Sequence, residues 1–339
     1  MHRCLQLARM GAGHVAPNPM VGAVLVYNDR IIGEGYHQQY GEAHAEVNCI
    51  RAVEEKDTQW ISSSTLYVSL EPCAHFGKTP PCADLIITNC IPKVVIACRD
   101  SYKEVAGKGI EKLKAAQIQV TVGVLESEAL ELNKAFFTFH QQQRPYIILK
   151  WAQSSDKKIG AAGNERIFIS NDIVNRLVHH WRSQTASILV GTNTALKDDP
   201  ALTTRLVSGK NPVRLVIDRQ LKLPKALQLF DGTVKTMVFN EQKDAAGDMI
   251  SYFKTDSNNI TSMLDILYRQ QIQSVLVEGG AKLLQFFIDA GLWDEARVIT
   301  NLDLVIGEGV DAPVLSLLHA NSSLQLGNNR VDYFLNDKL

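Results

Sequence analysis

His44-Ala45-Glu46 and Pro72-Cys73-Ala74-His75-Phe76-Gly77-Lys78-Thr79-Pro80-Pro81-Cys82 are the stretches on which the reading of this chain turns. His44, Cys73 and Cys82 make one borderline and two soft donors, a set suited to zinc, and three protein ligands leave a fourth coordination position open. At such an open site zinc lowers the pKa of a bound water toward neutrality. Hydrolysis also needs an acid/base that is not a ligand, and Glu46, two residues beyond His44 at a predicted helix start, fits. A closed structural site, completed by His75, Cys49 or Cys90, is the alternative, although it has no use for a carboxylate at that spacing.

The rest of the chain provides the setting. Its 339 residues are enough for two domains at about 150 residues each. With 45% hydrophobic and 21% charged residues, disorder is excluded as the main state. Lys plus Arg number 35 and Asp plus Glu 36, so the net charge of −1 gives no bulk attraction to nucleic acid or anionic lipid. No uncharged apolar run reaches the roughly 18 residues of a membrane span, and Arg3 and Arg9 interrupt the first stretch where a signal peptide would need an h-region. A cytoplasmic protein is expected. Six cysteines are too few for a disulfide scaffold. Cys4, Cys49, Cys90 and Cys98 read as buried small hydrophobes, and His2, His14, His140, His179, His180 and His319 as surface or packing histidines.

Periodicity predicts a helix at His2–Arg9 and strands at Val21–Tyr27 and Arg30–Tyr36 around an Asn28-Asp29 turn. Then follow a helix from about Ala43 to Glu54, a strand at Thr65–Leu70, a helix near Ala83–Asn89, a strand at Lys93–Cys98, a helix ending at Ala116, a strand at Val120–Val124 and a helix at Glu126–His140. The polar Gln141–Pro145 stretch reads as a linker and divides the chain into residues 1–143 and 144–339. Beyond it strands are predicted at Tyr146–Ala152, Ser187–Val190, Val213–Ile217, Thr236–Phe239, Ser274–Val277, Glu295–Thr300 and Leu302–Ile306, with helices at Asn171–Gln184, Ser262–Gln270 and Ala281–Ala290. Both halves are therefore α/β.

Between the cysteine ligands lie eight residues, where the nucleobase deaminase pattern H-x-E then P-C-x-x-C has two. The longer insert brings His75, Lys78 and Thr79 toward the pocket, and a cation there suits a phosphorylated substrate, so Lys78 is the phosphate-contact candidate. Gly11-Ala12-Gly13-His14-Val15-Ala16 satisfies G-x-G-x-x-A, but it follows a helix and precedes a strand, the reverse of a dinucleotide fingerprint. No P-loop occurs. Instead Gly191–Arg205 reads as a polar loop beyond a strand, and Glu278-Gly279-Gly280-Ala281 as a second, where small residues let a helix N-terminus approach a phosphate. Asp198 and Asp199 read as turn and cap residues ahead of Pro200 rather than a carboxylate pair.

Taken together these residues resemble the RibD family of bifunctional riboflavin biosynthesis enzymes, over nearly the whole chain. In the first half the resemblance lies in Pro17-Asn18-Pro19-Met20-Val21-Gly22, Gly35-Tyr36-His37, His44-Ala45-Glu46 and Pro72–Cys82. It implies a cytidine-deaminase-like three-layer domain holding Zn2+, with Glu46 as proton shuttle and Asn18, His37 and Lys78 near the substrate. In the second half it runs through Lys150–Asp156, Arg182, Gly191–Arg205 and Glu278-Gly279-Gly280. There it implies a dihydrofolate-reductase-like domain using NADPH, with Ala152, Phe168, Thr194, Asp198, Gly279 and Gly280 on the cofactor side. Arg166, Arg182, Leu202, Arg205 and Glu278 fall on the substrate side, and Lys150 near the reducing carbon. The family often has Asp-Gly where this chain has Asp156-Lys157, and Ser-x-Trp where it has Arg166-Ile167-Phe168.

The implied chemistry is zinc-dependent deamination of 2,5-diamino-6-(5-phosphoribosylamino)pyrimidin-4(3H)-one, followed by NADPH reduction of the ribosyl group to ribityl. The partners implied are small phosphoribosyl pyrimidines, with no nucleic acid and no membrane, and edge strands in the second half allow a homo-oligomer. Two further readings stand beside it: a nucleoside or tRNA deaminase fused to an unrelated domain, and a deaminase whose reductase half is impaired. A zinc-containing binding module is a third, from a different class.

Overall fold

Asn28 and Asp29 both adopt left-handed backbone, with φ of 46° and 59°, which suits a two-residue hairpin and folds β1 (Gly22–Tyr27) onto β2 (Arg30–Tyr36). The hairpin begins the first of two compact units, Met1–Gln143 and Arg144–Leu339, in a computed structural model that describes residues 1–76, 80–101, 106–163, 167–256, 259–315 and 319–336. The first unit also contains α1 (His2–Arg9), α2 (Ala45–Arg51), β3 (Thr65–Leu70), α3 (Cys82–Thr88), β4 (Lys93–Cys98), α4 (Lys108–Ala115), β5 (Gln119–Val122), α5 (Glu126–Leu132) and α6 (Lys134–Gln142). Its sheet has the order β2-β1-β3-β4-β5, antiparallel from β2 to β3 and parallel from β3 to β5.

Alternation along the central strands sends side chains to two cores. Ala23, Leu25, Leu66, Val68, Val94 and Ile96 pack against α2, α3 and α4, while Val24 and Ala97 lie on the side of α1, α5 and α6. The result is a helix–sheet–helix sandwich.

The second unit contains β6 (Tyr146–Gln153), β7 (Lys158–Ala161), α7 (Asp172–Gln184), β8 (Ser187–Gly191), α8 (Thr192–Asp198), β9 (Val213–Ile217), β10 (Thr236–Asn240), β11 (Ile250–Lys254), α9 (Ile260–Arg269), β12 (Ser274–Val277), α10 (Ala281–Asp289), β13 (Glu295–Asn301), β14 (Gly309–Asp311), β15 (Ser322–Leu326) and β16 (Asn329–Leu335). Its nine-stranded sheet runs β11-β10-β9-β8-β12-β6-β13-β16-β15, parallel through β13 and antiparallel at β16 and β15. Ile147, Leu149 and Trp151 of β6 enter the core covered by α9 and α10, so Lys150 and Ala152 project to the other face. On that face α7 lays Trp181 against the Arg297 guanidinium of β13, 4.7 Å from the ring centroid.

Four expectations need correction. The helix predicted over Glu126–His140 is two, interrupted at Asn133, and the Gly191–Arg205 loop opens with α8. Leu302–Ile306 is not a strand: the Asn301 side chain accepts the N–H groups of Asp303 and Leu304 and turns the chain out of the sheet. Cys90 is exposed, unlike the buried Cys4, Cys49 and Cys98, because it follows α3 with φ 51°. The β15–β16 hairpin carried no signal, since Ser322–Leu326 is an exposed edge strand without an apolar face.

Candidate functional site

In the first unit the site forms where two helices begin. His44 is the extended residue ahead of α2, Glu46 lies in that helix's first turn, and Cys82 opens α3 after Pro80-Pro81. Cys73 sits in the loop leaving β3 and accepts the Cys82 N–H at 3.3 Å. His44 Nδ1 lies 3.6 Å from Cys73 Sγ and 3.3 Å from Cys82 Sγ, and all three donor atoms fall within 4.8 Å of one another. A tetrahedral zinc with ordinary Zn–S and Zn–N lengths needs donors about 3.5 Å apart, so this set fits the ion.

Among the described residues the donor group is these three, and Cys49 is instead packed into the core. The Cys82 hydrogen bond, with those of His44, outweighs burial and holds the Cys73 thiol below the usual thiol range. Glu46 is 3% exposed, and burial, with the Cys73 charge beside it, pushes its carboxyl up.

Buried His37 packs edge-on against His44, ring centroids 5.5 Å apart. Its Nδ1 donates to the Ala43 carbonyl at 3.1 Å, which leaves Nε2 to accept from the Asn18 amide at 3.1 Å. Burial lowers its pKa, favouring that neutral form. Asn18 and His37 are thus brought to the zinc-ligand set. Lys78 and Thr79 lie outside the described residues, as does Arg166.

Sequence reasoning missed Glu71. Its buried carboxylate accepts the N–H groups of Asp100, Gly107, Gly109 and Ile110 at 3.3, 3.0, 3.0 and 3.2 Å, capping α4 beside the Pro72-Cys73 segment. Position 109 must be glycine for this approach, because a Cβ would stand 1.9 Å from the Pro72 carbonyl oxygen. The available signal was a carboxylate directly after an apolar strand.

The second unit gathers its residues at the carboxyl ends of β6, β8 and β12, where parallel sheets bind ligands. Arg182 reaches from α7 to grip Glu278 with two bonds, Nε to Oε1 at 2.9 Å and Nη2 to Oε2 at 2.8 Å, while its Nη1 donates to the Thr203 carbonyl. Lys150 Nζ lies 3.5 Å from the same carboxylate. Burial favours the neutral acid of Glu278, but the Arg182 and Lys150 charges and hydrogen bonds outweigh it and hold the carboxyl at about 2. For Lys150 the balance is opposite: burial, reinforced by Arg182, exceeds what one shared carboxylate returns, and its pKa falls.

His179, read from sequence as a surface or packing residue, is buried and accepts the Arg205 backbone N–H at 3.0 Å, anchoring the segment that carries Leu202 and Arg205. Leu202 is buried with φ 51°, and Arg205 is exposed. Among the residues expected on the cofactor side, the Gly280 N–H donates to Thr194 Oγ1 at 2.9 Å, joining the start of α10 to α8. At Gly279 a Cβ would fall 2.6 Å from Leu283 Cδ2. Asp198 follows Thr194 by one helical turn and shares its face. Ala152 is half-buried on the Lys150 face of β6, and Phe168 is 75% exposed.

The chain matches two family models, the cytidine and deoxycytidylate deaminase zinc-binding region over residues 1–98 and the RibD C-terminal domain over residues 145–326. The riboflavin biosynthesis protein RibD of Aquifex aeolicus is 37% identical over 98% of this chain and 94% of its own. This chain belongs to the RibD family. RibD of Bacillus amyloliquefaciens is 41% identical over 87% of this chain and 81% of its own. A solved structure from Thermotoga maritima, described as a diaminohydroxyphosphoribosylaminopyrimidine deaminase/5-amino-6-(5-phosphoribosylamino)uracil reductase, superposes with a TM-score of 0.90 at 36% identity, over 98% and 96% of the two chains. RibD of Acinetobacter baumannii gives 0.88 at 30% identity, over 98% and 97%. A RibD match through the second half removes the reading of a deaminase fused to an unrelated domain.

Proposed function

We propose that the chain performs two consecutive reactions on one phosphorylated pyrimidine, deamination in residues 1–143 and reduction in residues 144–339. The observation that carries this reading is the His44, Cys73 and Cys82 donor set with buried Glu46 two residues from His44, in a chain whose family joins a deaminase to a reductase. Zinc, when bound by those three side chains, supplies a water of near-neutral pKa. Glu46 carries the two protons of the attacking water in turn, one to the ring nitrogen and one to the departing amine. At the ring carbon a C–N bond is exchanged for C–O, so that water is consumed and ammonia released. Asn18 and His37 hold the pyrimidine, and Lys78 meets its phosphate.

NADPH, when bound, would supply the hydride for the ribosyl C1′, whose bond to the ring oxygen breaks while that oxygen takes a proton, leaving a ribityl chain. Thr194, Asp198, Gly279 and Gly280 bind that cofactor, with Ala152 and Phe168 lining its approach, and the small residues admit its pyrophosphate to the start of α10. Lys150 and Arg182 set two positive charges against the one carboxylate of Glu278, an excess that suits a 5′-phosphate, and Arg205 adds a third cation for it. Because Glu278 and Thr203 occupy three N–H groups of Arg182, two of its five remain for ligand oxygens. Glu278 also meets sugar hydroxyls, Leu202 and Arg166 flank the substrate, and Lys150 lies near the reducing carbon.

No helix among the described residues is long and apolar enough to cross a membrane. We place the enzyme in the cytoplasm, without a nucleic-acid partner, and as a homo-oligomer through its second unit. The test is to give purified protein the diamino substrate with NADPH and measure both products. One ammonia released per NADPH oxidised is expected. Absence of ammonia would overturn the deaminase assignment, and ammonia without NADPH oxidation the reductase.

A further inference from the structure

Asn133 interrupts what the sequence pattern presents as one helix. Its backbone stays close to helical, with its N–H shared between the Ala129 and Leu130 carbonyls and its own carbonyl accepting from Phe137, so the break is slight. The side chain does what a helix-surface residue would not. It is 3% exposed and exchanges two hydrogen bonds with one residue 113 positions earlier: Met20 N–H donates to Oδ1 at 2.8 Å, and Nδ2 donates to the Met20 carbonyl at 2.9 Å. The amide therefore stands in for a neighbouring strand at a residue just before β1, where no strand lies alongside.

Met20 ends the Pro17-Asn18-Pro19-Met20 segment. Upstream, Asn18 donates to His37 Nε2. Downstream, the Val21 carbonyl accepts the His37 N–H at 2.9 Å. His37 in turn lies against the zinc-ligand His44 and is bonded to Ala43 next to it. A chain of specific contacts thus runs from the break between α5 and α6 to the edge of the deaminase site.

We infer that Asn133 is a positioning residue for deamination, holding Met20 by both backbone groups so that Asn18 meets His37 and the pyrimidine. This rests on the deaminase reading above, with Asn18 and His37 as substrate contacts. A positioning role and a merely structural role make different demands. The zinc ligands and Glu46 are carried by α2, α3 and the loop after β3, none of which Asn133 touches through these bonds. Its removal should loosen substrate binding while leaving the chemical machinery assembled.

The test uses the full chain as Asn133→Asp, which keeps the bond from Met20 N–H but turns a carboxylate on the Met20 carbonyl, and as Asn133→Ser, which is too short for either bond. Zinc content, ammonia release with the diamino substrate, and NADPH oxidation with the deaminated substrate supplied directly are measured for each. The expected result is a deaminase KM raised about tenfold, with kcat within about threefold of wild type, one zinc per chain, and unchanged NADPH oxidation. Combining Asn133→Asp with Asn18→Ala should raise KM no further than Asn18→Ala alone, since both act through one segment.

An unchanged KM, a fall in kcat alone, additive effects in the double variant, or loss of zinc in both variants would overturn the proposal. Failure of the underlying reading is separate, because it would show as wild-type protein that binds zinc and releases no ammonia.

Discussion

The two units solve the problem of holding a pyrimidine ribosyl phosphate with different materials. In the first, chemistry rests on side-chain type: one imidazole, two sulfurs and one carboxylate, all within the segments 44–46 and 73–82 and placed by the starts of two short helices and the loop leaving β3. In the second, it rests on convergence from afar. Lys150, Arg182 and Glu278 come from three separate elements and meet only because β6, β12 and α7 are neighbours, while Gly279 and Gly280 offer little but backbone at the start of α10. A metal demands particular atoms and so marks the sequence; a phosphate accepts any well-aimed N–H and leaves little trace.

The contrast breaks most completely at a ligand. Cys82→Ala should abolish zinc binding and ammonia release, while NADPH oxidation with the deaminated substrate persists. Metal analysis and the two assays on one preparation check this, and parallel loss of both activities would show that the units are not chemically separate.

Next in size is Glu278→Gln. It strands the buried Arg182 and Lys150 without their counter-charge, which costs about 3 kcal/mol of stability by the general behaviour of buried pairs. Denaturant unfolding should show that loss in the second unit's transition, with NADPH oxidation lost and ammonia release kept.

Acid sharpens the same point without mutation. Glu278 is held from an ordinary 4.5 down to about 2, so its ionised form is favoured in the folded state. Its contribution is complete above pH 4.5 and is lost as pH falls toward 2. The second unit should weaken across that window, and Glu278→Gln should flatten the dependence.

The smallest effect is expected at Lys157, which adopts φ 60° where the family often has glycine. Lys157→Gly should stabilise the second unit by about 0.5–1 kcal/mol, the cost of a left-handed lysine less the entropy of glycine, with both activities unchanged. Thermal unfolding measures it.

How much of this was legible follows the same division. The zinc ligands and Glu46 were readable from spacing alone, as were most strands of both sheets, because short apolar runs between polar or turn residues mark buried strands whatever their partners. Asn18, His37 and the residues of the second site were named through family resemblance, and the structure brings most of them together. Asn133 was invisible and Glu71 was marked only by its place after an apolar strand, since each binds backbone N–H or C=O groups, which every sequence possesses. The exposed β15 and the asparagine turn at Asn301 escaped for a related reason: neither has an apolar face to leave a period.

The most direct measurement of the central claim, two independent chemistries in one chain, is Glu46→Gln assayed with each substrate in turn. The account predicts zinc retained, ammonia release reduced by roughly a thousandfold, and NADPH oxidation at the wild-type rate when the deaminated substrate is supplied. Ammonia release near wild type would contradict Glu46 as the proton carrier, and loss of NADPH oxidation with the deaminated substrate would contradict the independence of the two sites.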